Sequence, residues 1–312
     1  MRYFQTALES VLPLFIYMAA GVGLRKLRIF SATINNCINA VVYRCLLPVC
    51  VFKSVVGAEH GGQLKRLLIL VALICIVMEF ASSVYMLKNT DLSNMDKATA
   101  AQSMARSNFV VFGAAITVAV YGENAMTSAM MLVAIVVPAN AILTAGVFAA
   151  YCNTKTGWCP IIWKLISNPN LLATVLGLLV LRYQIRLPCV IQKSIQVISR
   201  ISTPLSLIAL GSSLQFGLPK EQIAMSMHVC AYRLLVAPFF GVLLGISAGL
   251  RREELLVLYA LCGAPSAVAC YSTAQQLGGR AELAGLHIMV TSVMSPFAIV
   301  LWITVLGSLN VL

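Results

Sequence analysis

The chain has 312 residues, of which 60% are apolar and only 10% charged, with a mean hydropathy of +0.91. A soluble domain is nearer half apolar and a quarter charged, so this composition excludes a water-soluble globular enzyme and points to a polypeptide immersed in the lipid bilayer. The net charge of +12 would suggest nucleic acid in a soluble chain, but cations of a membrane protein flank helix ends and meet headgroups, so no nucleic-acid partner is expected.

A helix crosses the hydrocarbon core with about 20 apolar residues. Ten such stretches follow one another, near 6–24, 34–56, 67–87, 98–121, 125–151, 168–183, 190–214, 222–248, 254–276 and 282–308. Their connections are short, which leaves no room for a soluble domain. The sequence thus predicts an all-α, polytopic membrane unit. Span 1 is full length without a small-residue cleavage site and reads as retained rather than as a signal peptide. Lys and Arg outside the spans divide evenly between the two sides, so charge alone does not set orientation. Ten cysteines occur without a CxxC pair and read as small buried hydrophobes, with Cys152 and Cys159 flanking a short loop.

Polar groups at mid-span are costly and are functional candidates by default. Span 2 carries Arg44 one turn before Pro48, and span 7 repeats that R-x-x-x-P pattern with Arg200 and Pro204. Span 3 holds Glu79, the one clear acid at this depth. Span 4 reads ARSNFVVFGAAITVAVYG, with Arg106, Ser107, Asn108 and Gly113. Asn140 follows Pro138 in span 5, and Arg233 lies in span 8. Span 9 is interrupted by Gly263-Ala264-Pro265-Ser266, where a helix would break. Four arginines against one acid favour an anionic solute such as a carboxylate, because the planar guanidinium holds a carboxylate bidentately. Arg106 beside Asn108 reads as a site residue, Arg44 and Arg200 admit a structural or a substrate role, and Arg233 reads as structural, snorkelling or capping a helix break. Glu79 either pairs with an arginine or carries a coupling proton. His228 and His287 read as satisfied or interfacial histidines rather than proton relays.

Sliding the sequence along itself by half its length aligns its punctuation. Pro13 meets Pro169, Gly21 meets Gly177, Arg44 meets Arg200, Pro48 meets Pro204 and Gly122 meets Gly278, each pair 156 apart. Residues 1–156 and 157–312 then form two repeats of five spans. Because five is odd, the second must insert upside down, the arrangement of secondary transporters whose sites lie near the midplane. Under the same shift Gly263-Ala264-Pro265 falls on Ser107-Asn108-Phe109, which predicts that two broken helices cross. Proline removes a donor and frees a carbonyl one turn back, so such a crossing would offer helix N-termini and bare carbonyls to a ligand. Pro48, Pro204 and Gly113 are the candidate hinges.

The segments GLRKLRIFS after span 1, LLPVCVF in span 2, SNPNLLATVLGLL opening span 6, TPLSLIALGSSL in span 7 and PSAVACYSTAQQLGGRAELA in span 9 resemble the auxin efflux carrier family, which includes bacterial malonate-type carriers and the plant PIN proteins. The resemblance covers essentially the whole chain and rests on the order and spacing of these motifs. It implies ten helices in two inverted five-helix repeats, a scaffold and a transport unit, crossed broken helices 4 and 9 around the substrate, and alternating access across the cell membrane with both termini outside. By position Asn108 matches the crossover asparagine of span 4 and Pro265 the crossover proline of span 9. Ala115 stands where the plant carriers have a proline, and their long central loop has no counterpart between Tyr151 and Ile166, so auxin is not carried over as the substrate.

No P-loop, no H-E-x-x-H and no metal-spaced Cys/His set occurs, and GVGLRK lacks the third glycine of a dinucleotide fingerprint. Neither an enzyme nor a cofactor is expected. A bile-acid/sodium symporter-like carrier, a passive channel and a non-transporting sensor of the same fold stay open, as do a coupling ion (H+ or Na+) and a homodimer. Gln102, Asn108, Gln275 and Gln276 are amides available to sodium.

Overall fold

In lipid every backbone N–H and C=O must be satisfied within the protein, which favours helices. The structure, a computed structural model, describes residues 2–57, 66–121, 126–152, 169–213, 220–309 and 311, and within these the chain forms helices and no strand. Gly122, Cys159 and residues 153–168 of the central connection lie outside the described residues. Helix α1 covers Arg2–Lys26 and α2 Ala32–Val41. A π-helical turn, Val42–Leu46, leads into α3, Leu47–Val56. Then come α4 (Arg66–Leu87), α5 (Asn94–Ala105), α6 (Phe109–Tyr121) and α7 (Met126–Tyr151). The second half continues with α8 (Pro169–Arg182), α9 (Cys189–Ser213) and α10 (Lys220–Ala231). A second π turn, Tyr232–Val236, opens α11 (Ala237–Ser247), and α12 (Glu253–Gly263), α13 (Ala269–Leu277) and α14 (Ala281–Ser308) complete the chain.

Among the described residues, three stretches are long and apolar enough to cross a membrane: Arg66–Leu87, the continuous run Glu221–Ser247, and Ala281–Ser308. Ile135–Tyr151 and Leu172–Arg182 are shorter apolar helices. The fourth and ninth stretches each divide into two half-helices, α5 with α6 and α12 with α13.

Each π turn precedes a proline at the second position of the next helix, Pro48 in α3 and Pro238 in α11. A proline cannot donate to the carbonyl four residues back and its ring crowds that oxygen. Widening the turn answers this: Leu47 N–H reaches back five residues to Val42 O, and Ala237 N–H to Tyr232 O. Pro204, by contrast, is absorbed within an unbroken α9.

The neighbours repeat between the halves. Helix α1 packs on α9 as α8 packs on α3, and α4 packs on α7 as α10 packs on α14. Glycine sets the first of these contacts. A Cβ on Gly21 would stand 2.0 Å from the Ile208 carbonyl oxygen, and one on Gly211 2.0 Å from that of Met18. Close backbone approach through small residues is how membrane helices gain packing without a hydrophobic drive. On the other side a Cβ on Gly177 would meet Val55 at 2.8 Å and the Phe52 carbonyl at 3.5 Å. Gly177 and Ile208 lie 156 positions after Gly21 and Phe52, so the two contacts are equivalent under the sequence shift.

The core centres on α12. Every residue from Leu255 to Ala267 is buried, as is every residue from Ala98 to Ala105 of α5. Non-helical backbone can persist at membrane depth only inside such an enclosure.

Gly21→Ala should lower the thermal midpoint in detergent, by an overpacking cost of about 1–3 kcal/mol. Gly23→Ala, where an added Cβ meets nothing within 4 Å, should leave it unchanged. Gly177→Ala should fall between them, since side-chain atoms of Val55 yield more easily than a backbone carbonyl.

Candidate functional site

Helix α5 ends where Arg106 turns extended (φ −93°, ψ 106°), and α12 ends where Ala264 does the same (φ −68°, ψ 149°). The two extended links lie side by side as an antiparallel bridge between Ser107 and Ser266. Asn108 N–H donates to Pro265 O at 2.7 Å, and Ala267 N–H to Arg106 O at 2.9 Å. The breaks therefore cross, in a register that corrects the alignment. Ser107 pairs with Ser266, 159 positions on, and α5 and α12 also start 159 apart, at Asn94 and Glu253. Three more residues have entered the second half after the Gly177 contact, where connections accept them cheaply.

Two helices that end together leave their last carbonyls without N–H partners. The carbonyls are not bare. Arg233, fully buried in the second π turn, sends its guanidinium into both ends. Its Nη1 donates to Met104 O and Ala105 O of α5, each at 3.0 Å. Its Nη2 donates to Leu261 O and Cys262 O of α12, each at 2.8 Å, and Nε donates to Ala264 O at 2.9 Å. The counter-charge is Glu79 of α4, whose Oε2 accepts from Nη1 at 2.7 Å. Tyr232 supports α4 from the same turn, its hydroxyl donating to Glu79 O at 3.2 Å. Behind the link, Ser266 Oγ donates to Ser103 O at 2.7 Å, and Ser266 N–H to Thr291 Oγ1 at 3.1 Å.

With the carbonyl side occupied, the starts of α6 and α13 face a cavity of about 100 Å³. Arg106, Ser107, Asn108 and Asn140 line it, together with Ser206, Tyr271 and Ser272, over an apolar wall that includes Val51, Phe109 and Val136. Asn108 caps α6, its carbonyl accepting from Phe112 N–H at 3.0 Å. Asn140 Oδ1 is buried without a hydrogen-bond partner among the described residues. Arg106 is half-buried, donates to Thr273 Oγ1 at 3.1 Å, and makes no ion pair among the described residues. Among the described residues no acidic side chain lines the cavity. Helix N-termini carry partial positive charge, so the lining is electropositive.

Four of the residues singled out in the sequence thus meet at one cavity: Arg106, Ser107, Asn108 and Asn140. Gly263, Ala264, Pro265 and Ser266 build the crossing but do not line the cavity; Ala264 and Ser266 are fully enclosed. Arg44 and Arg200 are exposed and stand apart from it. A long apolar span reads as buried in one dimension, yet its outward face meets lipid or headgroups, which periodicity near a proline did not resolve. Gly113 is not at a break: a Cβ there would sit 2.4 Å from the Phe109 ring, so close packing explains it. Ser206, Tyr271 and Ser272 also line the cavity and Thr273 receives Arg106, though as single hydroxyls in apolar spans none stands out as a site residue. Three of them, Tyr271 to Thr273, lie in the first turns of α13, and their distance from the break was the signal available.

A profile of the membrane transport protein family matches residues 6–154 and 160–303. A protein of Methanothermobacter thermautotrophicus described as an uncharacterized transporter is 23% identical over 310 residues, 97% of this chain and 99% of that one. The chain belongs to the membrane transport protein family, which is that of the auxin efflux carriers. With its apolar spanning helices it is an integral membrane transport protein.

Removing one partner of a buried ion pair costs about 3–5 kcal/mol because the other charge is left uncompensated. Arg233→Met should therefore lower the thermal midpoint in detergent far more than Arg44→Met or Arg200→Met. Glu79→Gln should also destabilise, leaving a buried cation without its counter-ion. A midpoint in Arg233→Met equal to that of Arg44→Met would show that the clamp does not hold the crossing.

Proposed function

We propose that the protein is a secondary transporter that carries a small organic anion, a mono- or dicarboxylate, by alternating access. The observation that supports this best is the sorting of charge at the crossing. The helix C-termini are tied off by Arg233, which Glu79 neutralises, while an arginine with no ion pair among the described residues, two amide side chains and the start of α6 face the cavity. Asn108 and Asn140 each donate and accept, so they can orient a carboxylate that the electropositive lining attracts. The volume of the cavity is in keeping with a small solute of the malonate-carrier kind. In this reading residues 1–156 and 157–312 are inverted repeats, with α1–α3, α8 and α9 as scaffold and the crossed helices in the moving unit. Glu79 is assigned to structure, and the coupling ion, H+ or Na+, acts elsewhere. The membrane is the cell membrane.

The test is uptake of radiolabelled malonate and related carboxylates into proteoliposomes, with and without a sodium or pH gradient. Saturable uptake is expected. Asn108→Ala should weaken substrate affinity about two- to tenfold, the worth of one hydrogen bond, and Arg106→Gln more, since the lost bond is charge-assisted. Unsaturable flux would indicate a channel, and binding without flux a sensor. Unchanged affinity in both variants would move the site away from the crossing.

A further inference from the structure

The link between α5 and α6 joins half-helices of 12 and 13 residues, so the cavity beside it lies near the middle of the fourth span. Among the described residues Arg106 is the one charged side chain that lines this cavity. It is half-buried rather than sealed. Its Nη1 donates to Thr273 Oγ1, and it makes no ion pair among the described residues. Phe109 and Val110, which follow at the start of α6 and also line the cavity, have N–H groups that meet no backbone acceptor among those residues. The neighbouring Arg233 is already balanced by Glu79. The crossing therefore carries one positive charge in excess, on the side that faces the cavity.

That excess sets the charge of the occupant. One carboxylate neutralises it. A dianion would leave a negative charge unmatched at a depth where unpaired charge is costly. An ammonium group would find no carboxylate among the described lining residues, which disfavours amino acids. Size does not choose: at about 10–15 Å³ for each water-sized group, a cavity of about 100 Å³ admits propionate, butyrate and malonate alike. The lining away from the crossing does choose. Leu47 and Val51 of α3 and Val136 and Val137 of α7 are apolar, with Asn140 and Ser206 as the polar exceptions, so most of that surface suits hydrocarbon and leaves a second carboxylate without a cation.

We infer that the solute is a monocarboxylate with a short aliphatic body, held as a neutral pair with Arg106, and that a dicarboxylate is accepted only as its monoanion. The carboxylate lies on Arg106 and the start of α6, and the body lies against Leu47 and Val51, which set the chain length. The inference rests on the carrier reading above and narrows it: malonate enters with one carboxyl protonated.

The experiment follows uptake of radiolabelled butyrate and malonate by the full chain in proteoliposomes, with unlabelled propionate, butyrate, malonate, alanine and butyramide as competitors. At neutral pH butyrate should compete about tenfold better than malonate or alanine, since an unmatched charge costs at least as much as one charge-assisted hydrogen bond. In mild acid malonate should gain on butyrate as its monoanion accumulates. Butyramide, of the same shape without the charge, should not compete. Leu47→Ala should shift the preference from butyrate toward hexanoate. Equal competition by malonate and butyrate at neutral pH, saturable uptake of malonate without butyrate, or an unchanged chain-length preference in folded Leu47→Ala would overturn the inference and leave the carrier reading standing. Absence of saturable uptake for every carboxylate would sink the carrier reading itself. If Leu47→Ala does not fold, the competition series on the native protein decides.

Discussion

A helix that stops inside a bilayer leaves up to four carbonyl oxygens without N–H partners, and in hydrocarbon each unsatisfied group costs several kcal/mol. Helices α5 and α12 stop side by side, and a single guanidinium meets both. Five backbone carbonyls and one carboxylate converge on Arg233. Lysine could not serve the same geometry, because its ammonium is a point donor whereas guanidinium spreads five N–H groups over a plane. The charge enters a fully buried position only because Glu79 accompanies it and because every donor finds an acceptor.

That clamp decides the polarity of everything around it. Once the carbonyl ends are satisfied on one side, the bridge between Ser107 and Ser266 fixes how the second half-helices begin. The start of α6, with Asn108 as its cap, is turned toward the cavity, as is the start of α13. The cavity then needs no net charge beyond Arg106 to be electropositive.

Around this centre the helices close through small residues rather than large ones. Gly21 and Gly211 bring α1 and α9 to backbone contact, and Gly177 lets α8 approach α3 at the equivalent place. The register of 156 holds for these outer contacts, whereas the crossing itself runs at 159. Packing contacts fix register helix by helix, and the connections between helices absorb the difference, so one offset need not describe the whole repeat.

Composition alone placed the chain in lipid, since nothing else accommodates so many apolar and so few charged residues. The breaks at Asn108 and Pro265 were legible too, because a proline or a polar pair in an apolar run interrupts helix by local chemistry. That Arg106, Ser107, Asn108 and Asn140 are polar at mid-span was equally plain. What the sequence could not assign was the partner of each charge. Arg44, Arg200 and Arg233 look alike as isolated cations in apolar spans, yet two face outward and one is fully buried. Glu79 and Arg233 are 154 residues apart, and their pairing depends on α4, α5, α11 and α12 packing together. Local rules determined where the helices stop; only the tertiary structure decided which groups meet at the stops, because satisfying buried charge is a property of the assembled core and not of any one segment.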